Sequence, residues 1–441
     1  MTETLSSIVP RRALDVLLAR LREEPVVVLE GPRTVGKTQL MQTAAGKLGV
    51  EVFDLDDPAT RDAVRADPGL FASAEERPVC FDEYQRAAGV LSAIKAELNQ
   101  ELSPGRFLLA GSARHDAVPE LADALTGRYH TVRVYPLSQG EVGGVCENFV
   151  EAFLTDPAAV AAGAGSSQTT RAAYIERVVA GGFPIALSRA AAARNRWFDD
   201  MIRASLERDL RELAKLRQAA LLPNLLERLA AQTAQVLNVS RAARETSPRS
   251  PIDEKTAESW LRLLEAVFLI DRLPAWGTTL RARAISSPKI HVVDSGVAAR
   301  LLRLTPQKLA RLNPTSLTEF GHLLETFAVW ELRKQLSWID GVAGVGHWRT
   351  SDGDEADLVI ELDNGDVVAF EISAGSSVPG AKFSGLKQLR SSLGDSFRGG
   401  AVLYLGRRSY SYQDRLHALP LDRLWTPALP TTKTTVVIGR P

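Results

Sequence analysis

Short apolar runs at residues 26–29, 79–81 and 107–110 are each bounded by charged or turn-forming residues, the pattern of strands buried on both faces of a parallel sheet. Weaker runs complete the set, so strands are expected at residues 25–30, 51–55, 78–81, 106–110 and 130–135, with helical segments between them. Residues 1–156 therefore read as a parallel α/β domain. The stretch 157–168 is rich in alanine, glycine and serine and has little to bury, which reads as a linker over 157–170. Beyond it, apolar positions recur at helical spacing over 174–179, 197–213 and 223–237. Short helices at 240–245 and 253–264 and strands at 267–273 and 289–293 follow, the order of a winged helix-turn-helix within 171–315. The last third predicts a helix at 317–336, strands near 344–349, 356–362, 367–373 and 401–405, and a helix at 382–393. That makes an α/β domain over 316–410, with 411–441 as a C-terminal extension.

At 441 residues the chain is too long for one ordinary core, in keeping with several domains. Hydrophobic residues at 45% and charged residues at 24% mark a soluble globular protein. Lysine plus arginine equals aspartate plus glutamate at 53 each, so only local charge can point to a nucleic-acid or membrane partner. Two cysteines suit a reducing compartment, and Cys80, inside an apolar run, reads as a small buried hydrophobe. The first ten residues lack a basic segment followed by an apolar one, and no stretch reaches the roughly 18 apolar residues that span a bilayer. These features predict a cytoplasmic protein without a membrane partner.

Chemistry enters at Gly31-Pro32-Arg33-Thr34-Val35-Gly36-Lys37-Thr38, a complete G-x-x-x-x-G-K-[ST] motif between an expected strand and an expected helix. Its glycines let backbone N–H groups wrap phosphate oxygens, and the helix N-terminus adds partial positive charge. Lys37 is expected on the β and γ phosphates of ATP, and the Thr38 hydroxyl on Mg²⁺. Asp82 ends the third strand, where a Walker B aspartate reaches the same Mg²⁺, and Glu83 is placed to act as general base on water. Ser112, after the fourth strand, is the sensor candidate. Arg128 is the arginine-finger candidate and Arg114 the alternative; a finger acting between chains requires a homo-oligomer.

Together with Asp82-Glu83-Tyr84-Gln85, the segments 108–112, 125–128, 136–138, 181–184, 263–270 and 288–296 extend the pattern over nearly the whole chain. On these residues the sequence resembles the bacterial and archaeal AAA-type ATPases that carry a C-terminal domain of unknown function with a nuclease-like core. The resemblance implies an AAA-type P-loop core, a winged-helix middle and a restriction-endonuclease-like end.

Two local patterns bear on partners. Residues 272–311 hold eight lysines and arginines against Asp294 alone, the footprint of phosphate contact with DNA or RNA. A winged helix that packs internally is the alternative, and Asp253-Glu254 at the start of the expected recognition helix favours it. In the last third, Asp357 and Glu371 lie on neighbouring strands where both can reach one Mg²⁺, with Glu325 as a possible third oxygen donor. The nuclease pattern wants a lysine where this chain has Ser373; Lys382 or Lys387 would have to replace it. An ATP-driven switch on nucleic acid with an inactive nuclease-like domain is thus the first expectation. A nucleotide-controlled scaffold and an ATP-regulated nuclease are its alternatives.

Overall fold

The computed structural model describes residues 9–87, 89–114, 125–163, 165–210, 219–247, 251–277, 279 and 287–427. Two compact units share the chain. The first takes Met1–Ser138, Val178–Arg272 and Lys289–Thr305; the second takes Gln139–Arg177, Leu273–Pro288 and Pro306–Pro441.

The first unit is built on strands β1 (Val26–Glu30), β2 (Val52–Asp54), β3 (Val79–Asp82), β4 (Phe107–Gly111) and β5 (Tyr129–Arg133). They form a parallel sheet in the order β2-β3-β4-β1-β5. The central strands β1, β3 and β4 are buried throughout, whereas the edge strands β2 and β5 are not, which is why only the central three carry unbroken apolar runs. One face buries Val26, Val28, Phe81, Phe107 and Leu109 against Val90, Leu91, Ile94 and Leu98 of the helix Gly89–Gln100. β4 lies between β1 and β3, with Glu30 level with Gly111 and Asp82 with Ala110. The two candidate motifs therefore end side by side, one strand apart.

In the same unit, the helix Leu222–Ala231 leads to a two-residue strand β6 (Gln235–Val236). The helices Val239–Thr246 and Glu254–Ala266 follow, then β7 (Ile270–Leu273) and β8 (Lys289–Val292). The strands form a small sheet in the order β6-β8-β7. The helix expected to reach residue 237 stops early because Ala234 adopts a positive φ and donates its N–H to Ile290 of β8 instead.

The second unit holds six strands: β9 (Val342–Arg349), β10 (Glu355–Leu362), β11 (Val367–Ser373), β12 (Phe397–Tyr404), β13 (Tyr410–Gln413) and β14 (Leu416–Pro420). Their order is β13-β14-β12-β11-β10-β9, with β11–β12 and β12–β14 parallel and the remaining pairs antiparallel. Two expectations need correction here. The extension 411–441 is, as far as residue 427, part of this sheet: β14 is wholly buried beside β12. The linker 157–170 begins as a helix, Pro157–Gly163, with Pro157 and Ala161 buried. Asp156 accepts a hydrogen bond from the Ala159 N–H at 2.9 Å, and alanine's high helix propensity does the rest.

Candidate functional site

The loop after β1 turns sharply into the helix Lys37–Leu48. Gly31 sits at φ 153°, and a Cβ there would come within 2.2 Å of the Val134 carbonyl oxygen; no larger residue fits. Gly36 at φ 98° and Thr34 at φ 63° complete the turn. Arg11 braces the loop from outside, donating to the carbonyls of Val35 at 2.6 Å and Tyr135 at 2.7 Å. Lys37 is buried, and its Nζ donates to the carbonyls of Gly31 (2.8 Å) and Pro32 (2.9 Å), inside the ring that the loop backbone describes.

Across β4, the Thr38 hydroxyl is close enough to the Asp82 carboxyl to act on its proton affinity. Burial pushes its pKa up, Thr38 opposes this, and the neighbouring carboxylates of Glu83 and Asp54 add to the rise. Glu83 is held in the left-handed region at φ 52°, a conformation a side-chain-bearing residue adopts at a cost. Its two carboxylate oxygens accept from Ser112 Oγ (2.8 Å) and Gln85 Nε2 (2.5 Å). Lys37, Thr38, Asp82, Glu83 and Ser112 are thus gathered at one end of the sheet. Cys80, two residues before Asp82, has its thiol pushed up to about 12 by burial, in keeping with a packing role.

Arg128 is not gathered there. It precedes β5 at the end where Val26 pairs with Tyr129, whereas the loop leaves β1 at the other end, beside Arg133. The length of β5, roughly 16 Å at about 3.3 Å per residue, separates Arg128 from the loop. Its guanidinium donates to Asn99 Oδ1 at 2.7 Å. In this arrangement Arg128 lies at the opposite end of the strand from the loop. Arg114 and Arg133 lie instead at the loop's end of the sheet. Arg133 pairs with Glu30 at 2.8 Å, and Arg114 with Asp271 at 2.8 Å. Sequence reasoning missed Arg11, Gln85, Glu30, Arg133 and Asp271. Only Gln85 carried a signal, its place two residues after Glu83.

Residues 23–143 match the model of a family described as an AAA domain. The N-terminal part is a parallel-sheet, P-loop NTPase-like domain. Residues 171–308 and 320–424 match two further models, each described as a domain of unknown function (DUF8612 and DUF4143). The chain is 28% identical over 422 residues to uncharacterized proteins of Mycobacterium bovis and Mycobacterium tuberculosis, covering 95% of this chain and 85% of each. Among solved structures, a Walker-type ATPase of Pyrococcus abyssi aligns with a TM-score of 0.42 at 15% identity, over 68% of this chain and 97% of that one.

In the basic segment 272–311, several cations are paired or buried. Arg272 is tied to Glu258 (2.7 Å) and Glu265 (2.6 Å), Arg300 is paired with Asp199, and Lys289 is buried. Lys308 and Arg311 belong to the other unit. Arg281 and Arg283 lie outside the described residues.

In the second unit, Asp357 on β10 and Glu371 on β11 are both buried. Asp357 Oδ2 accepts from the Ile372 N–H at 2.8 Å, and Glu371 Oε1 from Lys382 Nζ at 2.9 Å. Burial, then the charge of Asp357, pushes the Glu371 carboxyl well above the usual range despite Lys382. Lys387 instead lies over the Tyr412 ring, 4.9 Å from its centre. Among the described residues no group of three or more histidine, cysteine or acidic side chains is arranged to hold a metal, so Glu325 does not complete such a cluster. No helix among the described residues is long and apolar enough to cross a membrane.

Proposed function

We propose that this chain binds Mg-ATP and hydrolyses it to ADP and phosphate. The observation that carries the reading is the placement of Glu83: a residue with a left-handed backbone whose carboxylate is held by Ser112 and Gln85, next to Asp82 and one strand from the phosphate-binding loop. The residues fit the ligands. The loop can admit no Cβ at Gly31, Lys37 Nζ satisfies itself on loop carbonyls that a phosphate would replace, and Thr38 and Asp82 present oxygen donors. Lys37 is assigned to the β and γ phosphates and Thr38 with Asp82 to Mg²⁺. Bound there, Mg²⁺ supplies charge neutralisation between the phosphates.

Glu83 accepts a proton from the water that attacks the γ phosphorus, as the bond to the β–γ bridging oxygen breaks. Ser112, just past the end of β4, holds that carboxylate through its 2.8 Å hydrogen bond. The deciding experiment compares Glu83→Gln with the parent by ATP turnover and calorimetry. The amide should retain Mg-ATP and slow hydrolysis by about 100-fold or more. Turnover at the parental rate would remove Glu83 from the mechanism, and a parent that binds no nucleotide would end the proposal.

For partners, the ion pairs of Arg272 and Arg300 favour a middle segment that spends its cations internally, and so the nucleotide-controlled interaction module over a nucleic-acid motor. We place the second unit as a nuclease-like domain that does not cut. Two carboxylates are present, but one is committed to Lys382, and Ser373 stands where an activating lysine would be.

A further inference from the structure

Two ionic arms leave the nucleotide-facing end of the parallel sheet and meet at one carboxylate. The first begins at Glu30, the last residue of β1 and immediate neighbour of Gly31. Arg133, ending β5, donates Nε (3.1 Å) and Nη2 (2.8 Å) to Glu30 Oε1, and its Nη1 lies 3.6 Å from Asp271 Oδ2. The second begins at Ser112, which touches Glu83. Two residues on, Arg114 donates Nη2 to the same Asp271 Oδ2 at 2.8 Å, and its backbone N–H donates to Ala266 at 2.9 Å. Both guanidinium groups also lie over the ring of Phe268, at 5.6 Å for Arg114 and 5.5 Å for Arg133. Phe268 is buried and holds a positive φ of 56° in the turn that joins the helix Glu254–Ala266 to β7.

Asp271 lies on β7, outside the P-loop-like domain, and is nearly buried. A carboxylate in that position sets the geometry of both arginines, because moving it would strand two partly buried cations. Each arm starts beside the nucleotide-facing loop or its general base: Glu30 directly precedes Gly31, and Ser112 donates to Glu83 at 2.8 Å. Two residues beyond Asp271, at Leu273, the chain passes to the second unit.

We propose that Asp271 is the positioning residue through which the nucleotide site and strand β7 are coupled, with Arg114 and Arg133 as its two levers. This deepens the ATPase reading and rests on it. Coupling of this kind is a free energy shared by two sites, so it is visible from either end.

The test uses the full chain with Mg-ADP and a non-hydrolysable Mg-ATP analogue, measuring affinities by calorimetry and amide hydrogen exchange over residues 254–273. In the parent, exchange in this stretch should differ between the two nucleotides. Asp271→Asn should abolish that difference and change the ratio of the two affinities by about fivefold or more. Arg114→Gln should reduce the difference, and Arg114→Lys should restore part of it. A merely structural Asp271 would weaken both nucleotides alike and leave the exchange difference intact, which overturns the proposal. If Asp271→Asn does not fold, the Arg114 pair of variants decides on the same readout. A parent that binds nucleotide without any exchange difference sinks the coupling alone; a parent that binds none sinks the ATPase reading as well.

Discussion

Gly31 and Arg128 show how much a single residue's surroundings decide. Alanine at position 31 would drive its Cβ into the Val134 carbonyl at 2.2 Å. Gly31→Ala should therefore weaken Mg-ATP affinity by at least about tenfold, with a stability loss of about 1–3 kcal/mol, read by calorimetry and by denaturant titration. Affinity equal to the parent's would mean that the loop shown here is not the one that meets the phosphate. Arg128 faces the far end of the sheet, so Arg128→Ala should leave ATP turnover by dilute protein within about twofold of the parent. Arg133→Ala, which strips the cation from buried Glu30, should lower both turnover and stability. A loss in the Arg128 variant that grows with protein concentration would point instead to action between chains. The Walker residues were legible because eight consecutive positions and one strand end define them. Arg11 and Asp271 were not, since their partners arrive from 124 and 157 positions away along the chain.

Among elements, the central strands declared themselves through unbroken apolar runs, and their ends through the charged or glycine residues that follow. β14 did not. It is five residues long, contains His417 among Leu416, Ala418, Leu419 and Pro420, and is recognisable only once its parallel partner β12 is in place. Its histidine gives the strand a testable pH dependence. His417 Nδ1 lies 3.1 Å from Ser411 Oγ, and burial lowers its pKa below 6.5 against the pull of Asp156 and Asp414. The folded chain therefore binds this proton less readily than the unfolded one. Stability should be complete above pH of about 6.5 and fall as acid protonates the unfolded chain first. Thermal melts from pH 7.5 to 5 should show that decline, and His417→Gln should flatten it; an unchanged slope would assign the decline elsewhere. The helix Pro157–Gly163 makes a second case. Its alanines read as loop because they bury little, yet Asp156 caps it, and Asp156→Ala should cost about 1 kcal/mol in denaturant unfolding.

At the scale of the whole molecule, charge totals gave the least guidance. Eight cations within 272–311 suggested a nucleic-acid face, but folding assigns Arg272 and Arg300 to acids from earlier helices. Binding of duplex or single-stranded DNA should accordingly show a shallow dependence of log affinity on log salt, with a slope of about 2 or less. A steep slope would restore the motor reading. Incubation with plasmid in Mg²⁺ or Mn²⁺ should give no cutting; cutting lost in Asp357→Ala would reverse that assignment, and Lys382→Ala would then test the lysine. The division into units has a different kind of consequence. Each unit is assembled from three separate stretches, the first closing only with Thr305 and the second drawing on residues from Gln139 onward. A polypeptide emerging from the ribosome can thus lay down the phosphate-binding loop early, yet must hold an incomplete first unit until residue 305 is clear of the exit tunnel. Any single cut between 140 and 300 divides the stretches of both units between the two fragments, so each fragment is expected to fold poorly by itself.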